Sequence, residues 1–142
     1  MRFLATIATI GALLGAANAA PSTNTNGTVH SFTDSCDNTY QVYQHDTTVH
    51  LSASCRSESG DWLYSELDLN HCIANSLGSM VARKDGNFGQ TCNRMGLHGG
   101  GSHPLLYAYC SDGKYAQLAV IDMGNFVDNE DGRLICFGYY GE

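Results

Sequence analysis

Leu67-Asp68-Leu69-Asn70-His71-Cys72-Ile73-Ala74-Asn75-Ser76-Leu77-Gly78-Ser79-Met80 is written a second time in this chain. Leu67-Asp68, Ile73, Asn75, Gly78 and Met80 recur as Ile121-Asp122, Val127, Asn129, Gly132 and Leu134, with every spacing inside the block preserved. A matching frame precedes each block: Phe32-x-x-x-Cys36 with Cys55 in the first half, and Phe88-x-x-x-Cys92 with Cys110 in the second. From Phe32 to Phe88 the frame recurs after 56 residues. Two copies are too few for an open solenoid, which needs about three or more repeats to cover its core. The copies are therefore expected to pack on each other as one pseudo-symmetric domain with two related sites.

From Phe32 onward, period-two alternation dominates: Val49-x-Leu51-x-Ala53, Leu67-x-Leu69, and Leu106-x-Ala108 with Tyr107 and Tyr109 on the opposite face. This is the signature of half-buried strands. Turn clusters separate them, namely Ser57-Glu58-Ser59-Gly60, Lys84-Asp85-Gly86-Asn87, Gly99-Gly100-Gly101 and Ser111-Asp112-Gly113, so hairpins of a mainly β domain are expected. One or two helical turns are expected over 70–75 and 125–129, capped by Asn70 and Asn125, with turns at Gly78 and Gly132 returning the chain to strands. The domain is bounded as 32–137, with repeat one at 32–82, repeat two at 88–137, and a C-terminal tail at 138–142.

Before the domain, Met1-Arg2, the uncharged apolar stretch Phe3 to Ala17 and the small-residue site Ala17-Asn18-Ala19 read as a secretory signal peptide over 1–19. The stretch falls short of the roughly 20 apolar residues that span a bilayer, and no later segment suits a membrane. Residues 20–31 are rich in Ser, Thr, Asn and Gly, a flexible leader carrying the glycosylation sequon Asn26-Gly27-Thr28. Export places the chain in an oxidising, extracellular compartment, where its six cysteines are expected to form disulfides. Six cysteines allow 15 connectivities; equivalence of the repeats favours Cys36 with Cys55 and Cys92 with Cys110. Cys72 and Cys136 are left either bonded to each other or free. The net charge of −7, with Lys and Arg scattered, argues against a nucleic-acid partner, which calls for a basic stripe.

Little in the chain points to catalysis or a metal. His30, His45, His50, His71, His98 and His103 show no H-E-x-x-H, no Cys-x-x-Cys companion and no repetition between halves. There is no G-x-S-x-G elbow, and Gly99-Gly100-Gly101 lacks the Lys-Ser or Lys-Thr of a phosphate loop. The repeated acids Asp68 and Asp122 suit turn fixing better than the opposed pair of a glycosidase. What remains is a set of Asn, Asp, Ser and Thr side chains near the end of each repeat. Such groups match the paired hydroxyls of uncharged polyols in fixed directions, which points toward sugar binding with no cofactor.

The double pattern Phe32-Thr-Asp-Ser-Cys36, Leu51-Ser-Ala-Ser-Cys55, Leu67-Asp68 through Gly78, then Phe88-Gly-Gln-Thr-Cys92, Cys110 and Ile121-Asp122 through Leu134 resembles the cyanovirin-N homology family over about 31–137. The resemblance implies a two-lobed β domain whose repeats exchange segments, with two intrarepeat disulfides matching the symmetric pairing. It implies a lectin for mannose-containing glycans with no catalysis, metal or cofactor, monomeric or as a domain-swapped dimer. By position, the first lobe's site would use Ser31, Asp34, Ser35, Arg56 and Glu58, with Asn129, Glu130 and Asp131 returning from the second repeat. The second lobe's would use Ala74, Asn75 and Leu77, then Gly86, Asn87, Gln90 and Thr91, then Ser111, Asp112 and Lys114. Leu77 stands where the family pattern has Asp and Ala74 where a carboxylate can stand, so the first lobe is expected to bind and the second to be impaired.

Three functions follow: a secreted carbohydrate-binding module, a secreted structural or interaction protein that has kept the scaffold and lost sugar recognition, and a small glycosidase with two carboxyl groups facing across a cleft. Convergence of Glu58, Asn129 and Asp131 on one concave surface discriminates the first from the second.

Overall fold

The computed structural model describes residues 31–99 and 103–142. The expected signal peptide, the Asn26 sequon and the expected leader up to residue 30 lie outside the described residues.

The first repeat opens with a 3₁₀ turn at Phe32–Asp34, then forms β1 (Gln41–His45), β2 (Thr48–Arg56) and β3 (Trp62–Asp68), an antiparallel sheet in that order. A second 3₁₀ turn, Leu69–His71, leads into the hairpin of β4 (Ile73–Ser76) and β5 (Ser79–Ala82). The second repeat follows the same plan. A 3₁₀ turn at Phe88–Gln90 precedes the sheet of β6 (Cys92–His98), β7 (Leu105–Ser111) and β8 (Ala116–Asp122). A turn at Met123–Asn125 then enters the hairpin of β9 (Asp128–Glu130) and β10 (Arg133–Cys136), extended by β11 (Tyr139–Tyr140).

The repeats exchange their hairpins. β10 packs against β3, and β5 against β8. The Leu134 amide donates to Ser65 Oγ at 3.0 Å, and Gln117 Nε2 donates to the Leu77 carbonyl at 3.1 Å. Each lobe is thus a three-stranded sheet from one repeat closed by the hairpin of the other. The buried apolar side chains of both repeats form a single continuous core, in which Phe32 and Phe88, Leu51 and Leu106, Ile73 and Val127, and Met80 and Leu134 occupy equivalent buried places. Each such side chain contributes about 1.5–3 kcal/mol of burial.

Disulfides join Cys36 to Cys55, Cys92 to Cys110 and Cys72 to Cys136. The first two each cross-link within one repeat. The third settles the alternative left open by the sequence and links residues 64 apart, from the junction before β4 to the end of β10.

Two expectations are corrected. The helical turns sit at Leu69–His71 and Met123–Asn125 rather than over 70–75 and 125–129. Their caps are Asp68 and Asp122, which accept from the amides of Asn70 and Gly124 at 2.9 Å each. A carboxylate two or three residues before the expected cap captures the orphan amide, and the β-branched Ile73 and Val127 beyond the turn go over to extended chain. Asn70 instead ties the repeats, donating to the Thr47 carbonyl and accepting from the Gly89 amide. Residues 138–142 are not a tail. Tyr139 and Tyr140 pair with Cys136 and Ile135, and Glu142 exchanges both backbone hydrogen bonds with Glu66. The Tyr139 ring stacks on His71 at 4.1 Å and its hydroxyl donates to Asp85 at 3.0 Å.

The exchanged hairpins turn through Leu77-Gly78 and Asp131-Gly132, both residues of each pair having positive φ. Two-residue turns of this hand favour Asn or Asp followed by Gly, because other L residues in the left-handed region cost about 1–2 kcal/mol. Asp131 satisfies the rule. Leu77, at φ 50° and 80% exposed, does not. Leu77→Asn is therefore expected to raise stability by about 0.5–1 kcal/mol; a thermal melt with an unchanged or lower midpoint would contradict the strain argument.

Candidate functional site

At the tip of the first lobe, Ser35, Arg56, Ser57, Glu58, Asn129, Glu130 and Asp131 line an open depression of about 330 Å³. The strand ends of one repeat and the hairpin of the other meet there, so neither repeat could build it alone. Arg56 ends β2, Glu58 follows in the turn before β3, and Asn129 to Asp131 arrive on the exchanged hairpin. The Asp131 carboxylate accepts from the Glu58 amide at 2.9 Å, bridging the two sides. Glu130 accepts from the Tyr140 hydroxyl, whose pKa is raised by that carboxylate.

Glu58, Asn129 and Asp131 share this concave surface, but they are not equivalent. Asn129 Nδ2 donates to Ser35 Oγ and to the Arg56 carbonyl, both at 2.8 Å, while its Oδ1 accepts from the Gly132 amide at 2.9 Å. Both amide hydrogens are engaged, and the residue acts as a clamp between repeats. Asp131, Glu58 and the Arg56 guanidinium keep polar capacity toward solvent: carboxylates that accept and a planar cation that donates. Ser31 and Asp34 lie outside the lining. They form the capping box of the first 3₁₀ turn, Ser31 Oγ accepting from the Thr33 amide and Asp34 from the Ser31 amide.

The second lobe repeats the clamp. Asn75 Nδ2 donates to Thr91 Oγ1 and to the Ser111 carbonyl at 2.8 Å each, and its Oδ1 accepts from Gly78. Thr91 is engaged by that bond. Asp112 folds back on its own turn, accepting from the amides of Lys114 and Tyr115, which hold its carboxyl below the usual range. Lys114 lies over the Tyr115 ring. Ala74 is buried, and Gly86 is pressed against the Ile73 carbonyl, where a Cβ would come within 2.3 Å. Asn87 and Gln90 are exposed. At the hairpin tip, where the first lobe has Asp131, Leu77 offers no polar group.

Ser57 and Trp62 are absent from the sequence-based set. Ser57 bonds inside its turn, to Ser59 Oγ and from the Asp61 amide. Trp62 stands opposite Arg56 in the ladder, and the guanidinium lies over its ring at 5.4 Å. A lone Trp immediately after a Ser- and Gly-rich turn was the available signal.

Two lobes closed by exchanged hairpins, each carrying an Asn clamp, define a class of pseudo-symmetric tandem-repeat β domain. Within that class, the family model described as the CVNH domain matches residues 32–135, and the chain belongs to this family. A Cyanovirin-N homolog from Tuber borchii is 34% identical over 85 residues, 60% of this chain and 81% of that protein. A designed Cyanovirin-N homolog lectin superimposes with a TM-score of 0.63 at 30% identity, covering 75% of this chain and 98% of its own. Microvirin in complex with mannobiose superimposes at 0.56 with 27% identity, covering 75% and 98%.

Proposed function

We propose that this protein is a secreted lectin for mannose-type glycans and that the first lobe is the working site. The observation carrying this reading is the meeting of Arg56, Glu58 and Asp131, from two repeats, on one open depression. Vicinal sugar hydroxyls donate to the carboxylates of Glu58 and Asp131 and accept from Arg56, a pairing that selects orientation in an uncharged ligand. The mannobiose complex of a 27% identical relative supports the ligand class. Leu77 and the self-bonded Asp112 support a weaker second lobe. Export rests on the N-terminal segment Met1 to Ala19 and on three disulfides, which persist in oxidising compartments. No catalytic step is assigned, and the monomer is the proposed state.

The Asp131→Ala variant tests this. Removing one charged hydrogen-bond partner costs about 1.5–3 kcal/mol, a loss of tenfold or more in affinity. Calorimetric titration with mannobiose is expected to show about one site per chain in the parent and that loss in the variant. Unchanged affinity would move the site elsewhere, and a parent blank on a glycan array would favour a scaffold that no longer binds sugar.

A further inference from the structure

We propose that the outer face of the β1–β2–β3 sheet is a second carbohydrate-binding surface, a groove that takes a neutral oligosaccharide running on from the first-lobe depression. The inference rests on the glycan reading of that depression and extends it to a face that no repeat motif marks.

Strand alternation sets the face. Leu51, Ala53, Cys55 and Leu67 turn into the core, so Ser52, Ser54, Arg56, Tyr64 and Glu66 point the other way. The register places Arg56 opposite Trp62, Ser54 opposite Tyr64, Ser52 opposite Glu66, and Gln41 on the far side of Ser52. The result is a groove of about 270 Å³ in which the rings of Tyr43 and Tyr64 flank a floor of Ser52 and Ser54, with Thr39 and Gln41 at one side.

The walls are held in place before any ligand arrives. The Tyr64 hydroxyl donates to Glu66 Oε2 at 3.0 Å. The Tyr43 hydroxyl lies against the same carboxylate, which pushes its pKa up to about 12, and its ring stacks on His50 at 5.0 Å. Ser52 is only 7% exposed and still reaches the groove. Rings fixed on both sides present apolar faces to the C–H face of a pyranose, while serine hydroxyls and a glutamine amide meet its polar edges. The carboxylate beside the groove, Glu66, is taken up by the Tyr64 hydroxyl and His50, so floor and walls offer hydroxyls, an amide and ring faces, the groups that suit a neutral sugar.

Continuity supplies the length of the ligand. Arg56 belongs to the wall of the depression and to the same row of β2 as Ser54 and Ser52. Four residues of strand place Ser52 about 14 Å from Arg56, and Trp62, 54% exposed, stands opposite Arg56 in the ladder with its ring beneath the guanidinium, next to Tyr64 in the same row of β3. The fold does not demand this lining. On the equivalent face of the β6–β7–β8 sheet, His98, Tyr107, Tyr109, Leu118 and Val120 form an apolar surface, with tyrosines in place of the two serines and Leu118 and Val120 in place of Tyr64 and Glu66.

Calorimetry with mannobiose and with a linear mannotetraose, read together with the fluorescence of the single tryptophan, tests the proposal on the oxidised protein. The tetrasaccharide is expected to bind about tenfold more tightly than the disaccharide and to shift Trp62 emission. Tyr64→Ala and Ser54→Leu, one removing a wall and one filling the floor, are each expected to abolish that gain and leave mannobiose affinity and far-ultraviolet dichroism as in the parent. Equal affinity for both ligands, or variants that keep the gain, would overturn the groove while leaving the depression standing. A parent that binds neither sugar would remove the glycan reading and this proposal with it.

Discussion

Replacing Cys72 and Cys136 together by alanine is expected to lower stability by about 4 kcal/mol and the melting midpoint by about 15 °C. The bond closes a loop of 64 residues, and the chain-entropy relation gives roughly 4 kcal/mol for that length. The other two bonds span 19 and 18 residues, so the same relation makes each about 1 kcal/mol smaller. The third bond also ties the exchanged hairpin of one repeat to the other at a junction already held by His71 on Tyr139. Its removal is expected to favour hairpin exchange between molecules, seen as a dimer by size-exclusion chromatography at high concentration. Denaturant unfolding of the double variant at the parent midpoint would show that the bond adds nothing to a closed fold.

Asn129→Ala is expected to cost about 2–3 kcal/mol, and Asn75→Ala a similar amount. Each asparagine makes three hydrogen bonds that reach the sheet of the other repeat and close its own hairpin. Truncation leaves the Arg56 or Ser111 carbonyl and a glycine amide without those partners. The comparison with Asp131→Ala is decisive because the two neighbours are assigned different work. Asn129→Ala is expected to lose stability and affinity together, since the walls of the depression separate. Asp131→Ala is expected to lose affinity with at most about 1 kcal/mol of stability, its carboxylate being exposed and bonded to one amide. Matching urea midpoints for Asn129→Ala and the parent would return Asn129 to direct sugar contact.

Several features are legible in the residues because they depend on near neighbours. The alternation at Val49-x-Leu51-x-Ala53 needs only the period of a strand with one buried face, and β2 carries it. Asp131-Gly132 announces its turn because the left-handed pair of conformations suits those residue types. The place of the helical turns is less visible: Asp68 and Asn70 are both good caps, and choosing between them takes the actual direction of the chain. The C-terminal strand is invisible for another reason. Tyr139-Tyr140-Gly141-Glu142 has no repeat equivalent, and its backbone partners, Leu134 and Glu66, come from different repeats.

The sequence by itself determined the doubled architecture, the symmetric cysteine pairs and the inward faces of the strands. Repeated residues meet repeated surroundings, and periodic burial is a property of one segment at a time. Only the tertiary structure decided which polar side chains remain available. Asn129 and Asp131 look equally suited to a ligand as residue types. Hairpin exchange brings the Ser35 hydroxyl and the Arg56 carbonyl to Asn129 and leaves Asp131 facing solvent with one amide partner. A residue type states how many hydrogen bonds a side chain can make, and the partners that use them up lie 73 and 94 residues away.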